Sequence, residues 1–355
     1  MFNTLLLHSI QQLQGERSAS AILHMLTGKK SSQTFQDVYA YHLSSFFGIH
    51  RTITRDELMF ELKKLKALQY ISTRERALQL TESGLKELNK APIEHTPLVW
   101  LNGTAYQHMD QQFWGRLVVF VQTASNIASG QHQFIPVDDR KEVLDWVKVK
   151  YRHEQSNLNE YLQHLYSEVY DLLKGMPEWV AEFTTYRLSA YHRYGMSKDQ
   201  LAMRYNLSVH DVTITLQAVI HYLLQRVLDN QSAYPYLFQM CEDLQVTYPL
   251  THSAQKTFEW IEKGYTLETI ARIRKLKMST IQDHIVEIAL VNPRFCIDEY
   301  VTKEAAQNIS HTANTLNTNR LKTIRDELNG DYSYFEIRLV LAASQGVSNH
   351  ERRNT

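Results

Sequence analysis

Sixty-nine residues separate two stretches of this 355-residue chain that match in chemical type without a gap. Tyr194-Gly195-Met196-Ser197 opens the first, and Lys263-Gly264-Tyr265-Thr266 the second. The same offset pairs Leu201 with Ile270, Ala202 with Ala271, Leu207 with Leu276, Val209 with Met278, Val212 with Ile281 and Leu216 with Ile285. Repetition at a fixed offset means one supersecondary unit used twice. The spacing predicts two short helices around a tight turn. Ser197 or Thr266 caps the first helix, and the small Ala202 or Ala271 lets the second approach it closely. Leu207 or Leu276 plugs the turn. Ser208 or Ser279 is expected to cap the second helix, with Gln282 completing a capping box in the later copy. Val212/Ile281 and Leu216/Ile285 then pack back on the first helix. That is a helix-turn-helix, whose second helix is expected to face a groove.

The rest of the chain reads as mainly α. Twelve glycines and seven prolines are few for this length and favour helices over turn-rich β architecture. Residues 1–90 read helix, helix, helix, hairpin, helix, which is a winged-helix-like order. Thr54-Arg55-Asp56-Glu57 is a capping box, and Leu58, Leu62, Leu65 and Leu68 follow at helical spacing. Ala91-Pro92-Ile93 marks a boundary. Residues 91–186 form a helical middle region with a polar break near 130–139, and 187–230 hold the earlier, degenerate helix-turn-helix. The later helix-turn-helix domain spans 231–345 and closes with a helical pair. In that pair Leu321, Ile324 and Leu328 form a stripe, Asn329-Gly330 ends it, and Ser333 with Glu336 caps the last helix over 337–342. A flexible tail is expected over 346–355.

Composition narrows the function. Lys plus Arg equal Asp plus Glu at 38 each, so any contact with a polyanion must come from a local basic patch. Cys241 and Cys296 are far apart, which gives no zinc motif and fits a reducing compartment. The start of the chain lacks a basic leader, and the longest apolar run, 117–121, is too short for a bilayer, so a cytoplasmic protein without a membrane partner is expected. Gly28-Lys29-Lys30-Ser31 mimics the end of a phosphate-binding loop, but Leu23 stands where such a loop needs glycine. Sixteen histidines form no HExxH, and Asp199 follows Gly195-Met196-Ser197 where a nucleophile elbow needs glycine. No enzyme, cofactor, metal or small-molecule substrate is expected.

The candidate chemistry is cationic. In the later copy Arg272, Arg274, Lys275 and Lys277 fall in an acid-free stretch across the end of the first helix and the turn. Ser279, Thr280, Gln282 and Asp283 open the second helix, where phosphates and base edges come within reach. The earlier copy has only Arg204 there, and Asp211 would repel phosphate, so packing or protein docking suits it better. Lys63, Lys64 and Lys66, with Lys29 and Lys30, make a second candidate patch, equally readable as an ordinary charged helix face.

Two stretches resemble known domains. Leu26-Thr27-Gly28-Lys29-Lys30, Leu43-Ser44-Ser45-Phe46-Phe47-Gly48-Ile49, residues 62–70, and Leu78-Gln79-Leu80-Thr81 with Gly84 resemble the winged-helix domain of RecQ-type helicases. Gly264-Tyr265-Thr266-Leu267-Glu268-Thr269-Ile270-Ala271, Ser279-Thr280-Ile281 and Tyr334-Phe335-Glu336-Ile337-Arg338 look like the helix-turn-helix domain appended to some of them. The pair on one motor-less chain resembles the YpbB family of low-GC Gram-positive bacteria. The resemblance implies a non-catalytic accessory that binds duplex or forked DNA and partners a RecQ-family helicase in repair or recombination. The wing tip, 72–76, has no aromatic wedge, which implies positioning of DNA over strand separation. The alternative is a helix-turn-helix transcription regulator reading an operator.

Overall fold

A computed structural model of the chain describes residues 1–74, 77–246, 248 and 250–353, with side chains as far as residue 344. The crest of the expected wing tip, Glu75 and Arg76, lies outside the described residues, as do the last two residues of the expected tail.

The molecule is mainly α, as the sequence led us to expect. The N-terminal part supplies α1 (Phe2–Leu13), α2 (Ala19–Thr27), α3 (Ser32–Ala40), α4 (Arg55–Ala67), β1 (Ile71–Arg74), β2 (Ala77–Leu80) and α5 (Glu82–Lys90). The middle supplies α6 (Gly103–Tyr106), α7 (Asp110–Ala128), α8 (Lys141–Glu154), α9 (Leu158–Lys174), α10 (Glu178–Arg187), α11 (Lys198–Tyr205), α12 (Val209–Asp229) and α13 (Pro235–Phe238). The C-terminal part supplies α14 (His252–Glu262), α15 (Leu267–Arg274), α16 (Met278–Val291), α17 (Lys303–Leu316), α18 (Leu321–Glu327) and α19 (Tyr334–Arg353). The last helix is therefore far longer than the 337–342 expected, and it runs through most of the stretch expected as a tail.

By contact the chain gathers into two compact units, residues 1–6 with 86–246, and residues 7–85 with 247–355. The four segments expected along the sequence are thus grouped by space, and most of the first folds with the last.

The first unit is built on α7, α9 and α12. Phe113 and Phe120 of α7, Tyr161 and Leu165 of α9, and Val219 and Leu223 of α12 are all buried in one cluster. The apolar run 117–120 lies inside it, which is why α7 needs no amphipathic stripe. Arg116 is buried beside that run. Its guanidinium grips Asp243 bidentately at 2.5 and 2.8 Å and donates to the Met240 carbonyl at 3.0 Å. Among the described residues no single helix is long and apolar enough to cross a membrane.

The second unit is arranged around α16, which packs against α3, α14, α15 and α19. Ile281, Ile285, Val286, Ile288, Ala289 and Leu290 are all buried, so apolar side chains on several sides of this helix are covered by its neighbours. The capping box that opens α4 is formed as read: the Glu57 N–H donates to Thr54 Oγ1 at 3.2 Å, and the Thr54 N–H to Glu57 Oε2 at 2.7 Å. Leu58, Leu62 and Leu65 turn inward. Strands β1 and β2 pair antiparallel, from Ile71 opposite Leu80 to Arg74 opposite Ala77. Helix α5 then begins hard against the hairpin, since a Cβ at Gly84 would meet the Tyr70 carbonyl oxygen at 2.1 Å.

Candidate nucleic-acid interface

The repeat read from the sequence is present in the backbone to the residue. Helices α11 and α15 begin after Ser197 and Thr266, whose hydroxyls accept from the backbone N–H groups of Gln200 and Thr269. Both are eight residues long. Each ends in a left-handed residue, Asn206 at φ 51° and ψ 46° and Lys275 at φ 53° and ψ 42°. The next N–H closes the end: Leu207 donates to the Ala202 carbonyl at 2.9 Å and Leu276 to the Ala271 carbonyl at 3.0 Å. This six-to-one bond is the Schellman ending, and the leucine beside it covers the helix end. Helices α12 and α16 then start at Val209 and Met278, again sixty-nine apart. Between α11 and α12 the chain bends by 103°, within the range of helix-turn-helix corners.

One detail of the expected capping is corrected by this register. Ser208 is indeed the N-cap of α12, in a capping box with Asp211. Its counterpart is Lys277, which precedes α16 with no side-chain cap, so Ser279 and Gln282 lie inside the helix and form no capping box. No side chain closes that helix start; the Thr280 and Ile281 N–H groups both donate to the Lys277 carbonyl, at 3.0 and 3.2 Å.

The basic turn faces outward, with one exception. Arg272, Lys275 and Lys277 are exposed, and Ser279 is exposed on the first turn of α16. Thr280 and Gln282 are half-buried beside it. Arg274 turns inward to α14, where its guanidinium donates to the Ser253 carbonyl at 2.7 Å, to Ser253 Oγ at 3.1 Å and to Thr257 Oγ1. Its donors are spent holding α15 on α14, so it is withdrawn from the expected DNA contacts. Behind it lies a buried polar network. Thr257 Oγ1 meets His284 Nδ1 at 2.7 Å, and Glu287 accepts from the Thr251 N–H at 2.5 Å. Burial, helped by the Arg274 charge, lowers the His284 pKa to about 4, and burial raises that of Glu287.

Of the second helix, expected to face a groove, the structure leaves only the start exposed. From His284 α16 is enclosed by its own unit, with residues 284–290 buried without interruption. What remains open is the turn and the first turn and a half of the helix.

The structure brings one of the remote candidates to this place and leaves the other apart. Lys29 and Lys30 are exposed in the loop between α2 and α3, where Gly28 turns the chain at φ 69°. Ser31 caps α3 by accepting from the Thr34 N–H at 3.3 Å. The next residue, Ser32, is tied to α16 through Arg338 of α19: the guanidinium donates to Ser32 Oγ at 2.7 Å, to Gln36 Oε1 at 3.1 Å and to Asp283 Oδ1 at 2.5 Å. The Lys29–Lys30 loop thus flanks α16. Lys63, Lys64 and Lys66 are exposed on the outer face of α4 and make a stripe of their own. Lys64 is paired with Glu61 at 2.8 Å and lies 4.3 Å from the centre of the Phe60 ring.

The earlier copy shows what the frame does without charge. At the positions of Arg272, Lys275 and Lys277 it carries Met203, Asn206 and Ser208, with Met203 85% exposed. Its first turn is also occupied. Asp211 accepts from the Phe2 N–H at 2.7 Å, and the Phe2 ring lies 4.8 Å from that of His210. Among the described residues no three His, Cys, Asp or Glu side chains stand together as a metal site.

A helix-turn-helix domain family matches residues 253–341, the stretch from α14 into α19. Protein YpbB of Bacillus subtilis (strain 168) is 34% identical over 342 residues, covering 96% of each chain. The chain belongs to the YpbB family. No solved structure matches it. In this YpbB-family chain the matched domain contains the later, cationic copy of the repeat and lies within the 231–345 segment expected to hold it.

Proposed function

We propose that this chain is a non-catalytic DNA-binding accessory, acting in the cytoplasm beside a RecQ-family helicase in DNA repair or recombination. The observation that carries the DNA-binding part is the exposed turn of Arg272, Lys275 and Lys277 at the uncapped start of α16. Three exposed cations beside the positive end of a helix suit phosphate. End-on contact through one helical turn reaches few base edges, so weak sequence preference follows. The α4 stripe, followed by the β1–β2 hairpin, is the second DNA contact in this proposal, in a winged-helix-like arrangement. The helicase partner rests on the resemblance of that segment, and of the later repeat, to domains of RecQ-type enzymes.

Titration of the purified chain against random duplex, forked and single-stranded DNA tests the DNA-binding part. Similar affinities are expected, with log K falling against log salt at a slope between about −2.7, for three phosphate contacts, and about −4.5, for five. Tight preference for one duplex sequence would favour an operator-reading regulator instead, and no binding at low salt would overturn the proposal. Capture of a RecQ-type helicase with the chain from its native cell is the corresponding test of partnership.

A further inference from the structure

Resting on the DNA-binding reading above, we infer that Arg338 is the positioning residue of the interface. It cancels the Asp283 carboxylate and pins the Lys29–Lys30 loop beside α16, so that two loops remote in sequence form one phosphate-binding surface.

Asp283 stands on α16 just beyond the cationic turn. It is 40% exposed and six residues beyond Lys277, roughly 9 Å along the helix axis from it. A bare carboxylate at that distance opposes any phosphate drawn to the turn. Arg338 meets it at 2.5 Å from α19, and the same guanidinium serves Ser32 and Gln36 of α3. A planar fork with several fixed donors can hold three acceptors from two helices at once, which a lysine ammonium does poorly. Ser32 lies two residues after Lys30, with only the N-cap Ser31 between them, so fixing Ser32 restricts where those two charges stand. Arg338 is itself only 19% exposed. It acts through its neighbours and does not reach the phosphate.

An ion pair with a purely structural role would give losses of the same sign whichever partner is removed. The inference requires opposite signs. With the full-length chain and a random-sequence duplex followed by fluorescence anisotropy, Arg338→Ala is expected to weaken binding about tenfold. Asp283→Asn alone is expected to hold affinity or tighten it up to about threefold, and the double variant to recover part of the Arg338→Ala loss, the part due to the bared carboxylate. Unchanged affinity in Arg338→Ala, or an equal loss in the single and double variants, overturns the inference. Should Arg338→Ala fail to fold, Asp283→Asn decides alone: weakened binding there overturns it, and held or tightened binding supports it. Absence of binding by the unaltered chain removes the DNA-binding reading and this inference together, whereas the other outcomes leave that reading standing.

Discussion

Lys275 carries two burdens that its counterpart does not. It closes α15 in the left-handed region at φ 53°, where a side chain other than Asn or Gly costs about 1 kcal/mol. The earlier copy places Asn206 in the same conformation, which asparagine adopts at less cost than lysine. Lys275→Asn is therefore expected to raise stability by about 0.5–1 kcal/mol while reducing the salt slope of DNA binding by about 0.9. Urea unfolding and a salt titration of the same preparation check both; a loss of stability, or an unaltered slope, would refute the dual role. Arg274 shows the limit of reading charge from sequence. It stands in the same acid-free stretch as Arg272, Lys275 and Lys277, and only the position of α14, set by distant packing, distinguishes it. The inward face of α15 was legible through Ile270 and Ala271, but the partner waiting at Ser253 and Thr257 was not.

Among elements, α16 departs most from its expected role. Its apolar run, with Ile281, Ile285, Ile288 and Leu290 joined by Val286 and Ala289, leaves no polar face beyond the first turns, and that much was legible. Which helices enclose it was not, because α3 comes from the opposite end of the chain. The polar side chains within that run, His284 and Glu287, are the signal of the buried network, since such groups need partners when enclosed. They also fix a pH response. The folded pKa of His284, about 4, lies below the ordinary value near 6.5, so the folded state binds fewer protons than the unfolded one. Its contribution is complete above pH of about 6.5 and is lost as pH falls from there towards 4. Glu287 acts oppositely, because its raised pKa favours the protonated form inside the fold. His284→Gln, which keeps an acceptor for Thr257, is expected to lose less stability between about pH 6.5 and 4.5 than the unaltered chain. Urea midpoints across that window measure it, and parallel acid slopes for the two proteins would contradict it.

At the scale of the whole molecule, one helix-turn-helix frame occurs twice with opposite outfitting. The later copy carries an open cationic turn, while the earlier has a neutral turn whose following helix start receives Phe2. The repeat itself was the most legible feature of the sequence, down to its register. The gathering of the chain into two units was not, because it depends on packing between segments hundreds of residues apart. With 38 basic and 38 acidic residues, no overall field draws DNA, so the proposed binding rests on local patches, the turn with its flanking loop first among them. The earlier copy thus supplies the control for the later one. Replacing Arg272, Lys275 and Lys277 with Met, Asn and Ser writes the neutral turn onto the cationic frame without altering its helices. Measured by anisotropy on random duplex across a salt series, this triple variant is expected to lose most of its affinity and about 2.7 from its salt slope, with unfolding unchanged or slightly later. The same affinity and the same slope as the unaltered chain would contradict the account.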